Sequence, residues 1–76
     1  MFETIKTLIG DVVVLDRVIA DDEDLILNGV LDSISALKLV AALETAFGQK
    51  VPSTDLTYEN FQSVGAMAAY LESRGS

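Results

Sequence analysis

The chain has 76 residues, 50% of them hydrophobic and 22% charged, a balance that folds as one small domain and does not stay disordered. It has no Cys and no His, which excludes disulfide staples, thiolate metal sites and the commonest general base. Twelve acids against five bases give a net charge of -7, which argues against a nucleic-acid or anionic-lipid surface.

Segment 2–16 carries Phe2, Ile5, Leu8, Ile9, Val12 and Leu15 within one arc of about 140°, which predicts an amphipathic helix. Val12-Val13-Val14 also reads as strand, but the helical period continues through it without alternation, so the helix is expected to run to about Asp16. Met1-Phe2-Glu3-Thr4 holds no basic stretch leading into an apolar block, so no signal peptide is read and a cytoplasmic, free-standing protein is expected. Residues 17–32 lack a clean period and predict a long loop, with Leu25-Ile26-Leu27 laid on the core and Asn28-Gly29 as a turn. Asp21 to Asp24 fails the calcium-loop pattern, because Ile26 and Leu27 stand where oxygen ligands and Gly are needed. A solvated acidic loop, with no metal site, is expected there.

Segment 33–47 is the best-defined helix, with Asp32 or Ser33 as N-cap, Gly48 as C-cap and Pro52 beyond it. Ala36, Leu39, Val40, Leu43 and Phe47 share an arc of about 100° and are expected in the core. Its run Leu39 to Leu43 is the longest apolar stretch, far below the ~20 residues of a membrane span. A second stripe, Ile34, Leu37 and Ala41, lies elsewhere on this helix beside Lys38 and Thr45. It either packs under the long loop or docks a partner. Residues 49–56 connect to a short turn holding Tyr58 and Phe61, with Thr57 as a cap. Ser63 opens a last helix, 64–74, on which Val64, Met67, Ala68 and Leu71 share a face. The fold class is therefore all-α: a four-helix bundle of three longer helices and a short third one, with a long first loop, over a single domain 1–76.

Ser33 has no His to activate it, and Lys38 lies about 140° around the helix, so neither a nucleophile nor any other catalytic residue is expected. Asp32 and Ser33 read either as a plain helix cap or as a helix N-terminus where backbone N–H groups favour a phosphate.

Gly29-Val30-Leu31-Asp32-Ser33-Ile34, Leu39-Val40, Leu43-Glu44, Phe47-Gly48 and Val51-Pro52 together resemble the acyl carrier and peptidyl carrier protein family, over nearly the whole chain. The resemblance implies an acyl-carrier-type bundle. It implies that a phosphopantetheinyl transferase moves 4′-phosphopantetheine from coenzyme A to Ser33, with Asp32 as the acid before the serine. The thiol of the arm would then carry an acyl or aminoacyl thioester for an adenylating loading enzyme and downstream biosynthetic enzymes. The carrier itself would be no enzyme and a monomer. Ile34 departs from the usual Leu, a volume-conserving change. Ser35, Ala36, Lys38 and Thr45 stand where fatty-acid carriers typically have acids, which leaves Glu44 as the only acid of the helix. That departure, and a weaker likeness in Tyr58 to Ser63, favour a discrete peptidyl or aminoacyl carrier, or one of a specialised pathway. The alternatives are a fatty-acid or polyketide carrier, and a small helical interaction module without a prosthetic group. The docking face expected from the resemblance is Ile34, Leu37, Lys38 and Ala41, with Ile34 partly covered.

Overall fold

The computed structural model describes residues 1–75. Among them are four α-helices, α1 (Phe2–Val12), α2 (Ser33–Phe47), α3 (Tyr58–Phe61) and α4 (Val64–Gly75), with a 3-10 turn at Ser53–Asp55 and no strand. The all-helical expectation holds, and the bounds of α2 are those the sequence predicts. The 3-10 turn was not expected inside the 49–56 connection.

α1 packs against α2 and α4, and α3 packs against α4. The core takes Ile5 and Ile9 from α1, Leu39, Val40 and Leu43 from α2, Phe61 from α3, and Val64, Met67, Ala68 and Leu71 from α4. Phe47 is half-buried against this cluster. Each helix thus buries one stripe, which is what a small bundle requires.

The first helix is shorter than its periodicity predicts. Val13 is extended, with φ -133 and ψ 155, and its N–H closes the helix on the Ile9 carbonyl. Three consecutive β-branched residues crowd the preceding turn, and extension lets the chain leave the bundle surface. Val14 is consequently 98% exposed, and Leu15 returns to the core from the loop, off the helix.

The loop from Val13 to Asp32 has no helix of its own yet supplies Ile19, Leu25 and Leu31 to the core. The apolar triplet does not lie down as a unit: Leu25 is buried, Ile26 half-buried and Leu27 79% exposed. Leu25 N–H donates to the Gln62 carbonyl at 2.7 Å, and Gly65 N–H donates to the Asp21 carbonyl at 2.8 Å. A Cβ on Gly65 would stand 3.2 Å from that same oxygen, so any larger residue would push loop and helix apart by a few tenths of an ångström.

The acidic run is not a solvated face throughout. Glu23 accepts from Arg17, from the Ala20 N–H and from Asn28. Its hydrogen bond from Arg17, helped by the other two donors, holds its carboxyl down at about 2. Asp24 accepts from the N–H groups of Ile26 and Leu27 and from the Tyr58 hydroxyl. Two acids of the run are therefore structural acceptors that shape the loop, while Asp21 and Asp22 stay exposed. Asp21 still pairs with Lys6 at 2.7 Å.

The Thr57 side chain caps nothing, contrary to expectation. The turn is held instead by Asn60, whose amide donates to the Asp55 carbonyl at 2.9 Å. Ser63 does cap α4, accepting from Ala66 N–H at 3.1 Å. Asp55 also accepts from the Tyr70 hydroxyl at 2.6 Å and pairs with Arg74 at 3.2 Å, which fixes the connection to α4.

Candidate functional site

α2 begins at Ser33 because Asp32 is the N-cap, its carboxylate accepting from the Ser35 N–H at 2.7 Å. This bond lowers the Asp32 pKa below the ordinary aspartate value. A carboxylate so engaged is a weaker base than a free one. Ser33 is exposed, as are Asp32 and the following Ile34. At this first turn the N–H groups lack intrahelical partners and the helix dipole is positive, a setting suited to a phosphate ester.

Two apolar grooves flank Ser33. The larger, about 340 Å³, runs between α2 and the α3 region, with Ala36, Leu37 and Val40 on one wall and Leu56, Tyr58 and Phe61 on the other. The smaller, about 200 Å³, lies between α2 and the first loop, against Leu31. Ile26, Ser33 and Ala36 border both grooves. A flexible arm leaving the Ser33 oxygen would meet apolar walls on either side, so the residues present fit such a group. The sequence does not place Ile26, Leu56 or Tyr58 at this site, because no helical or alternating spacing ties them to Ser33. They reach the groove only through the fold.

The outer face of α2 carries Ile34 at 65% exposure and Leu37 at 60%, with Lys38, Ala41 and Thr45 also exposed. The loop does not cover Ile34, since the chain approaches α2 from the side of Leu31 and leaves position 34 facing out. Glu44, the helix's only acid, is half-buried and turned inward, accepting from Val51 N–H at 2.7 Å. Its backbone carbonyl accepts from Gly48 and Gln49, with Gly48 left-handed at φ 64. The Leu-Glu, Phe-Gly and Val-Pro blocks are thus a helix ending tied to the next connection.

A family model described as "Phosphopantetheine attachment site" matches residues 3–71. The chain belongs to this phosphopantetheine-binding carrier family, whose covalently attached group is 4′-phosphopantetheine. It is 31% identical over 75 residues to a D-alanyl carrier protein of Lactococcus lactis subsp. cremoris, covering 97% of this chain and 90% of that protein. A D-alanyl carrier protein of Abiotrophia defectiva is 31% identical over 61 residues, 78% of this chain and 77% of that protein. Among solved structures, a chain of the Bradyrhizobium japonicum glycine:[carrier protein] ligase complexed with glycylated carrier protein superposes with a TM-score of 0.78 at 26% identity, covering 90% of this chain and 93% of that one. A holo acyl carrier protein from Nitrosomonas europaea superposes with a TM-score of 0.83 at 25% identity, covering 96% and 93%. This protein is a carrier of acyl-carrier fold. No helix of the described residues is long and apolar enough to cross a membrane.

Proposed function

We propose that Ser33 bears the 4′-phosphopantetheine arm and that the cargo is a single activated amino acid. The observation that carries the attachment point is the exposed Ser33 at the capped start of α2, between two apolar grooves. When attached, the arm supplies the thiol that this Cys-free chain lacks and holds cargo as a thioester. In the attachment step the Ser33 oxygen loses its proton and forms a new phosphoester bond. The phosphoanhydride of coenzyme A breaks, and adenosine 3′,5′-bisphosphate leaves. Asp32 holds Ser33 at the helix tip and keeps its own carboxylate occupied, so the proton acceptor belongs to the transferase. The chain performs no reaction itself, consistent with the absence of His and Cys. Ile34, Leu37, Lys38 and Ala41 form the face on which the transferase and an adenylating ligase dock.

Support for an amino-acid cargo comes from the D-alanyl and glycylated carriers to which the chain is similar. The apolar groove of about 340 Å³ favours a second reading, a short acyl chain as cargo. The experiment incubates the protein with coenzyme A, Mg²⁺ and a broad-specificity phosphopantetheinyl transferase and measures intact mass. Wild type gains one arm and Ser33→Ala gains none. A wild type that stays unmodified beside a control carrier that is loaded overturns the attachment. The loaded protein is then offered to amino-acid-adenylating and fatty-acid-adenylating ligases, and the mass gained identifies the cargo class.

A further inference from the structure

The chain holds five basic residues. Three are ion-paired: Lys6 with Asp21, Arg17 with Glu23, and Arg74 with Asp55. Among the described residues Lys38 and Lys50 have no acidic partner. Lys50 lies past the C-terminal end of α2, whereas Lys38 lies about 7.5 Å along the helix from Ser33. It borders Ile34, Leu37 and Ala41 on the outward face. The two nearest acids in sequence are directed elsewhere, Asp32 to Ser35 N–H and Glu44 to Val51 N–H. In a chain of net charge -7, the arm-bearing helix therefore presents apolar groups and a single cation.

We infer that the ligase that charges this carrier presents an apolar socket for Leu37 and Ala41 flanked by a carboxylate that pairs with Lys38; this rests on the carrier reading above. The physical reason is desolvation. A partner that covers Leu37 and Ala41 removes water from the neighbouring ammonium, and that cost is recovered only against an opposite charge. A basic partner surface, the complement of an acidic carrier helix, would instead set cation against cation. The exposed acids Asp21 and Asp22 belong to the first loop and not to α2.

The test takes the ligase that charges wild type in the preceding experiment and compares arm-bearing wild type with Lys38→Met, Lys38→Arg and Lys38→Glu. The expected result is a KM rise of roughly three- to tenfold for Lys38→Glu, a smaller rise for Lys38→Met, and near-wild-type behaviour for Lys38→Arg, with kcat unchanged throughout. Calorimetric titration of the ligase with carrier lacking the arm should give the same order of affinities. Reversing one ligase carboxylate to Lys should restore the Lys38→Glu carrier and weaken wild type. Equal or tighter binding by Lys38→Glu overturns the inference while leaving Ser33 as the attachment point. A wild type that takes up the arm but accepts no amino acid from any ligase removes the aminoacyl reading and this inference together.

Discussion

α2 and the first loop border the same serine but are built in opposite ways. α2 is specified locally: a capping aspartate, a buried stripe, a left-handed glycine and an inward glutamate define its ends and its faces within a fifteen-residue helix and the two residues that cap it. The loop is specified at a distance, through Leu25 N–H on Gln62, Gly65 N–H on Asp21 and the Tyr58 hydroxyl on Asp24. The helix can therefore lend one whole face to partners at little cost in stability. In the loop, by contrast, residues that shape the segment also tie it to the bundle, Leu25 through its burial and Asp24 through the Tyr58 hydroxyl.

The sharpest way to break this contrast is to truncate one apolar residue in each region. Leu25, fully buried, should cost about 2–5 kcal/mol as Leu25→Ala, read by denaturant or thermal unfolding. A small loss would mean that the loop merely lies on the bundle. A smaller effect is expected from Glu23→Gln, and it depends on pH. Glu23 has its pKa depressed from 4.5 to about 2, chiefly by Arg17, so its contribution is fully present above the unfolded-state pKa and is lost as pH falls through that window. The melting temperature of Glu23→Gln should thus lie below that of wild type at pH 6, and the gap should close between pH 5 and pH 2. A gap independent of pH would remove the Arg17–Glu23 pair from the account of the loop. The smallest effect on stability belongs to Leu37→Asp, within about 0.5 kcal/mol of wild type because the position is exposed. Its helical circular dichroism should be unchanged while transfer from the charging ligase slows. A large drop in melting temperature would show that Leu37 belongs to the core.

How far the sequence could be read follows the same division. The bounds of α2, its buried positions Leu39, Val40 and Leu43 and the stripe left over came from 3.6-residue spacing and two cap residues, because helix geometry is local, while Ala36 and Phe47, expected in the core, are only half-buried. The end of α1 did not, since the apolar period runs on through Val12-Val13-Val14 and only the extended Val13 shows where the chain turns away. Asp21 to Asp24 read as one solvated run because adjacent acids look alike in sequence. Their split into exposed Asp21 and Asp22 and hydrogen-bonded Glu23 and Asp24 depends on Arg17, Asn28 and Tyr58 arriving in place.

The sequence by itself determined an all-helical chain with a phosphate-friendly serine at a helix tip, because capping, periodicity and composition act within a few residues. Only the tertiary structure decided that Ile26, Leu56 and Tyr58 meet Ser33 across two grooves, that Ile34 faces outward, and that Glu44 turns inward and leaves Lys38 alone on its face. Those outcomes depend on which distant segment packs beside α2, and residue spacing holds no record of that.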